Sequence, residues 1–275
     1  MLYSEIYEKL KKAGIENPTF EASVLLEKFC NVSRAELPFL GEKNFESDAL
    51  MTALERRVSH EPLQYILGEW YFFGEKYLVD ERCLIPRSDT EILVEKAIEL
   101  LPKNALFADF CTGSGCIAVS TLAHREDLRA FAFEISRGAL ELAEKNASLN
   151  GVSRRITFIE ADILADMECE DEIFDAILSN PPYIRTNFIE TLSDEVKKEP
   201  RIALDGGDDG LLFYRTILWK HSRLLKKNGF ILFEIGYDQG NDIKALALEN
   251  GFSCEIIKDL SLCDRVALLK KAYND

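Results

Sequence analysis

Residues 105–118 read ALFADFCTGSGCIA. The apolar run ALFAD has the length and character of a buried strand, and GCIAVSTLA, from Gly115 on, begins a helix. Two glycines between them give the backbone the freedom that a tight strand-to-helix turn requires. Repeated, that succession builds a parallel sheet. It does repeat. RAFAFE (129–134) is a strand, and SRGALELAEKNASLNG (136–151) is a helix with Gly151 at its end. RITFIEAD (155–162) and DAILSNPPYI (175–184) are the next strands, and a helix around YRTILWKHSRLL (214–225) precedes the strand GFILFEIG (229–236). A further helix leads to FSCEIIKD (252–259) and DRVALLKK (264–271), two strands with no helix between them. The expectation is an α/β fold: a doubly wound, Rossmann-like sheet of seven strands whose last strand runs antiparallel.

Upstream the character changes twice. Leu2, Ile6 and Leu10 recur at helical spacing, with a stop at Gly14. Asn17-Pro18 reads as a cap and first turn before FEASVLLEKF, and Ser47 as the cap of a helix carrying Leu50, Met51, Leu54 and Val58. Residues 1–62 are expected to form a small helical domain. Residues 63–86 are aromatic and β-branched, broken by Gly68 and Gly74, and read as a β-hairpin linker. Residues 87–275 carry the sheet. Ser88 with Glu91 three positions on predicts a capping box at the head of ILVEKAIELL.

Composition bounds the partners. Of 275 residues, 48 are acidic and 33 basic, a net charge of −15, so a nucleic acid is a poor candidate for the main ligand. A protein or a small molecule fits better. No apolar stretch is long enough to span a membrane, and the start MLYSEIYEKLKKAGIENP lacks the basic-then-apolar pattern of a signal peptide. Seven scattered cysteines form no Cys-x-x-Cys, and the three histidines stand far apart, so no zinc spacing or disulfide framework is visible. Reduced core thiols in a cytoplasmic protein are expected, and neither metal nor stable oligomer is called for.

Within FADFCTGSGCIA, Gly113, Gly115 and Ala118 satisfy a dinucleotide fingerprint, and Glu134, ending the next strand, is placed to bind a ribose diol. Taken alone, that suits any nucleoside cofactor. Asp109 lies four residues before Gly113, and Asp-x-x-x-Gly-x-Gly is the spacing of enzymes that use S-adenosylmethionine, whose ligand is cationic and has no pyrophosphate. Asp162, after the third strand of the sheet, could accept from an adenine amino group.

LSNPPYI (178–184) ends a core strand with an amide, two prolines and a phenol. The prolines fix two φ angles, and Asn180 before Pro181 is pushed into extended backbone. An amide or exocyclic amine is a poor nucleophile, its lone pair being delocalised. Acceptors at the Asn180 side chain and the Pro181 carbonyl would orient both its N–H groups and favour the positive charge that grows on transfer. Tyr183 could stack on a planar substrate. No strong base is required.

These residues belong to a wider pattern: EPLQYILGE (61–69), FFGEKYLVD (72–80), LIPRSDTEILVE (84–95), DFCTGSGCIA (109–118), EPRIALDGGDDGL (199–211) and FEIGYDQG (233–240). With these motifs the chain resembles the HemK/PrmC-type release factor glutamine N5-methyltransferases over its whole length. The resemblance implies a seven-stranded methyltransferase sheet and S-adenosylmethionine as donor, leaving S-adenosylhomocysteine. It implies that Cys111, Thr112, Gly113, Ser114 and Gly115, with Asp109, cradle the methionyl part, that Glu134 holds the ribose, and that Asp162 and Ile163 lie beside the adenine. Asn180, Pro181, Pro182 and Tyr183 would grip the glutamine of the Gly-Gly-Gln loop in class 1 peptide chain release factors. Departures are Ser88-Asp89 for the usual Pro-Glu, Glu134 for the commoner Asp, and Cys111 for a frequent Gly. NPPY by itself is shared with amino-methyltransferases acting on nucleobases, so a nucleic-acid enzyme and a non-catalytic cofactor-binding module are the rivals. LDGGDDG (204–210) reads as a turn capping a helix near Leu211, since it lacks the spacing of a calcium loop. Arg87 is open between an ion pair and a contact to cofactor or substrate. His60, His124 and His221 are expected as surface or partly buried polar residues with no catalytic partner.

Overall fold

The computed structural model describes residues 1–41 and 43–271, which fall into two compact units. The first is Met1–Glu69 with Ser193–Lys198; the second is Trp70–Leu192 with the chain from Glu199 onward.

The first unit holds α1 (Tyr3–Lys12), α2 (Pro18–Cys30), α3 (Asp48–Val58) and α4 (Leu63–Leu67). Ile6 and Leu10 of α1, Leu25 and Leu26 of α2, and Leu50 and Leu54 of α3 form its buried apolar faces. Ser47 caps α3 by accepting from the Leu50 N–H at 3.2 Å. Asn17 stands at the cap of α2 but makes no side-chain cap bond; Pro18 alone starts that helix. The Arg57 guanidinium is buried and bonds the Glu21 carboxylate at 3.0 Å, with Glu195 from the 193–198 segment beside it. Paired in this way the buried charge is tolerated.

The stretch 63–67 is a correction. It is helical, and Gly68 at φ +71° closes it, so the hairpin is shorter than expected: β1 (Glu69–Phe72) and β2 (Glu75–Leu78). Both turn residues, Phe73 and Gly74, have positive φ, as a tight two-residue hairpin requires. The Phe73 N–H then needs an acceptor, and finds the Glu91 carboxylate at 2.8 Å. That overturns the expected capping box. Ser88–Thr90 is a 3-10 turn whose Arg87 cap has no side-chain bond, and α5 (Glu91–Leu100) starts with its carboxylate committed to the hairpin.

The sheet follows as β3 (Leu106–Phe110), α6 (Cys116–His124), β4 (Arg129–Glu134), α7 (Arg137–Leu149), β5 (Ile156–Glu160) and β6 (Phe174–Ser179). A short α8 (Leu212–Thr216), then β7 (Leu225–Glu234), α9 (Gly240–Glu249), β8 (Phe252–Lys258) and β9 (Asp264–Lys271) complete it. The order is β5-β4-β3-β6-β7-β9-β8, parallel through β7. The last strand is antiparallel as expected, and it inserts between β7 and β8. Phe110, Phe133, Phe174, Tyr214 and Phe233 pack in one core, with Phe110 edge-on to Phe133 at 5.1 Å. Each such buried ring contributes roughly 1.5–3 kcal/mol. Among the described residues no helix is long and apolar enough to cross a membrane, and all seven cysteines are free thiols.

After β3 the chain turns one way to β4 and later returns to β6 on the other side of β3. At such a switch point the loops diverge and leave a crevice at the strands' carboxyl ends. The loops here are 111–115 and 180–183. Phe110 pairs with Ser179, whose hydroxyl donates to the Phe110 carbonyl at 2.7 Å, so the two loops start side by side.

Candidate active site

A cleft in the second unit encloses about 1030 Å³ of space, its open mouth included. Its first wall is the turn Cys111–Ser114. Cys111 and Gly113 have φ of +59° and +55°. A non-glycine residue in that region is strained, so Cys111 holds the turn at a backbone cost that glycine would not carry. Gly115, at φ +81°, does different work: a Cβ there would stand 3.1 Å from that of Ala143, so its absence lets α6 approach α7. Asp109 is wholly buried beneath the turn. One oxygen accepts from the Thr112 hydroxyl at 2.5 Å and the Ala118 N–H at 3.3 Å; Oδ1 has no partner.

The turn's amides are largely spent. Gly113 N–H donates to the Glu134 carboxylate at 3.0 Å, Gly115 N–H to the Thr112 carbonyl at 2.8 Å, and Thr112 N–H to the Phe133 carbonyl at 3.1 Å. A pyrophosphate needs those donors free. Here it would find them occupied, with a carboxylate in place of open amides. The residues therefore fit a cationic nucleoside cofactor and do not fit a dinucleotide.

Glu134, at the end of β4, lines the next wall and also accepts from Ser136 N–H at 3.0 Å. Burial pushes its pKa up, against those backbone bonds. Both oxygens keep lone pairs for a diol. The third wall is Ala161–Leu164, where Asp162 accepts from the Leu164 N–H at 2.8 Å and Ile163 is buried. His221 corrects an expectation. It is almost wholly buried rather than at the surface or partly buried; its Nε2 lies 2.7 Å from the Ile163 carbonyl, and its ring packs edge-on to Phe110. Burial lowers its pKa, so the neutral ring braces the Asp162–Ile163 turn from within.

The fourth wall carries Asn180 and Pro182, with Arg87 and Thr90. Arg87 forms an ion pair with the buried Glu199, which also accepts from the Ile85 N–H at 2.9 Å. Arg87 is thus both an ion-pair partner and part of the wall. Asn180 Nδ2 donates to the Thr90 hydroxyl at 3.3 Å. Of the residues expected at the site, Asp109, Gly115, Pro181 and Tyr183 do not line this cleft. Tyr183 is half-buried against the core, so any stacking on a substrate would occur outside it. Burial, with Glu234 nearby, pushes its phenol up, which keeps it neutral.

The backing of the 180–183 loop was not legible in sequence. The Gln239 side chain donates to the carbonyls of Tyr183 and Gly210 at 3.2 and 3.1 Å. Ile184 and Gly206 exchange with the LDGG segment through Ile184 N–H to Leu204 O at 3.0 Å and Gly206 N–H to Ile184 O at 2.8 Å. A Cβ on Gly206 would fall 2.7 Å from the Tyr183 Cα. The LDGG glycines therefore permit backbone contact behind Asn-Pro-Pro-Tyr, beyond the turn expected there. Asp209 does serve the start of α8, accepting from the Leu211 N–H at 3.0 Å.

Fold and site together define a Rossmann-like methyltransferase. The family model described as the methyltransferase small domain matches residues 88–203, and that of the PrmC N-terminal domain matches residues 2–68. The chain is 38% identical to the release factor glutamine methyltransferase of Thermodesulfovibrio yellowstonii over 82% of each chain. It is 35% identical to that of Caulobacter vibrioides over 95% of this chain and 92% of the relative. Among solved structures, a ribosomal protein L11 methylase from Lactobacillus delbrueckii superposes with a TM-score of 0.52 at 22% identity, covering 71% of this chain and 84% of that one, which shows the shared fold. The chain belongs to the release factor glutamine methyltransferase family.

Proposed function

We propose that this chain transfers a methyl group from S-adenosylmethionine to the side-chain amide nitrogen, N5, of the glutamine in the Gly-Gly-Gln loop of class 1 peptide chain release factors. The observation that carries the reading is the Asn180 side chain. Its Nδ2 is committed to Thr90, which leaves Oδ1 to accept from a ligand, on the same cleft wall system as Glu134 and the spent-amide turn. The orientation follows from the hydrogen-bond network.

Bound S-adenosylmethionine supplies an electrophilic methyl group on a cationic sulfur. Cys111–Ser114 would hold its methionyl segment over the buried Asp109, Glu134 the ribose diol, and Asp162 with Ile163 the adenine edge. Asn180 Oδ1 and the Pro181 carbonyl accept the two N–H groups of the substrate amide, which aims its nitrogen and favours the charge that develops there. Pro182 and Tyr183 keep those acceptors in place. A proton then leaves the methylated nitrogen to water, so no side-chain base is required. The helical unit is the recognition element for the release factor, and an acid-rich chain of net charge −15 suits a protein partner better than a nucleic acid. The reaction belongs in the cytoplasm, with the chain acting as a monomer.

Mass spectrometry of the release factor loop after incubation with labelled cofactor tests this. The expected result is one methyl group on the loop glutamine. Label entering DNA or RNA and never the glutamine would overturn it in favour of a nucleobase enzyme; no product at all would favour a binding module.

A further inference from the structure

We propose that Asn146 is a positioning residue for the cofactor turn, holding its last peptide in place before any ligand arrives. The inference rests on the S-adenosylmethionine site proposed above.

Ala139, Ala143 and Asn146 recur at helical spacing, so they lie along one face of α7. That face meets the turn. Ala139 lines the cleft, and Ala143 is the residue that a Cβ on Gly115 would press against, at 3.1 Å. Asn146, fully buried, supplies the tie. Its Nδ2 donates to the Ser114 carbonyl at 2.9 Å and to the Leu78 carbonyl at 3.1 Å, while Oδ1 accepts from the Leu78 N–H at 2.7 Å.

Ser114 lines the cleft, and its carbonyl shares one rigid plane with the Gly115 N–H. That N–H donates to the Thr112 carbonyl at 2.8 Å. The peptide is therefore gripped at both ends, by Thr112 on one side and by Asn146 on the other. Without the second grip it can rotate about its flanking bonds, because Gly115, at φ +81°, has the freedom to follow. The anchor itself is fixed. Leu78 offers Asn146 both backbone groups, as it would to a neighbouring strand, and the adjoining Tyr77 hydroxyl lies 2.6 Å from that of Ser120 on α6. The amide matches this set, with two hydrogens for two carbonyls and one acceptor for an N–H. A carboxylate of the same shape has no hydrogen to give, and a hydroxyl has one.

Asn150, one helical turn on, provides the control. Its side chain donates to the Lys76 and Asn146 carbonyls, both at 3.0 Å, so it too ties α7 to the hairpin but not to the cofactor turn.

The test combines equilibrium dialysis of S-adenosylmethionine, amide exchange of the cofactor-free full chain followed by NMR, and methylation of a release factor. Asn146→Asp keeps the size and the acceptor for Leu78 but loses both donors. Its cofactor Kd is expected to rise about 10-fold, with kcat at saturating cofactor within about 2-fold of wild type and faster exchange at the Gly115 amide. Asn150→Ala is expected to lower the melting temperature while leaving Kd and the Gly115 exchange unchanged. An unchanged Kd in a folded Asn146→Asp would overturn the proposal and leave Asn146 a merely structural residue. A Kd raised as much by Asn150→Ala would overturn it too. Should Asn146→Asp not fold, wild type and Asn150→Ala decide: slow exchange at Gly115 without cofactor is expected in both, and fast exchange in the wild type overturns the proposal. A wild type that binds no S-adenosylmethionine, its Gly115 amide still slow, would instead overturn the cofactor reading.

Discussion

The turn 111–115 and the loop 180–183 sit at the ends of adjacent strands, and each is backed by a buried carboxyl with one unpartnered oxygen: Asp109 Oδ1 for the turn, Glu234 Oε2 for the loop. They are held in opposite ways. The turn is braced mainly by its own neighbourhood, Asp109 to Thr112 and Ala118, and Gly115 to Thr112, with β4 and α7 supplying the rest. The loop is stiffened by its prolines but aimed by segments far along the chain: Thr90, Leu204 to Gly206, Gly210 and Gln239. A cofactor can be held by a local device. A weak nucleophile has to be gripped against the cofactor, and that orientation is fixed from several directions at once.

The largest effect expected from breaking the comparison is at its chemical end. Asn180→Ala removes an acceptor aimed at developing charge, and a loss of about 10²–10³ in kcat is expected, with cofactor affinity kept. Single-turnover methylation beside equilibrium dialysis of labelled cofactor checks both halves. Next is Gly206→Ala. The added methyl would collide with the Tyr183 and Pro182 backbone, at 2.7 and 2.8 Å, and no side chain can yield there. About 1–3 kcal/mol of stability should be lost, seen as a lower urea midpoint, and activity should fall with the displaced loop. Wild-type activity in that variant would mean that the loop is aimed without its remote backing.

On the turn's side, Glu134→Gln weakens a charge-assisted bond to Gly113 and the expected diol contact together. Cofactor affinity should drop about 10-fold, with kcat at saturating cofactor retained. Titration calorimetry measures the first and steady-state turnover the second. A fall in kcat alone would place Glu134 with the substrate instead.

The same contrast explains what was legible in the sequence. Seven strands, their order of appearance and the glycine turn follow from periodicity and from residues only a few positions apart, which a one-dimensional reading handles well. Local signals failed where a distant group competed. Glu91 has the spacing of a capping residue, yet the Phe73 N–H of the hairpin takes its carboxylate. PLQYIL looks extended by composition, but Gly68 terminates it as a helical turn. His221 is polar by type and buried in fact, because the Ile163 carbonyl gives its ring a partner. Asn-Pro-Pro-Tyr announced itself, whereas Gln239, Gly206 and Thr90 did not, since nothing in their own surroundings marks them.

The smallest expected effect sharpens the comparison through pH. Burial raises both Asp109 and Glu234 to about 7, against hydrogen bonds from Thr112 and Ala118 in one case and Thr90 in the other. In the unfolded chain each would release its proton near about pH 4, so between there and about 7 the folded protein binds more protons. The stability these carboxyls lend is therefore complete below about pH 4 and is lost as pH rises through about 7. Carboxylates held below their usual range, such as Asp205 hydrogen-bonded to Thr186, act in the opposite sense and mask part of the slope. Asp109→Asn and Glu234→Gln resemble the protonated forms. Each variant's urea midpoint should rise relative to wild type on going from about pH 5 to about pH 8, and the double variant should show both increments. A difference that stays flat across that range in Glu234→Gln, but not in Asp109→Asn, would mean that the loop's carboxyl is already charged at pH 5.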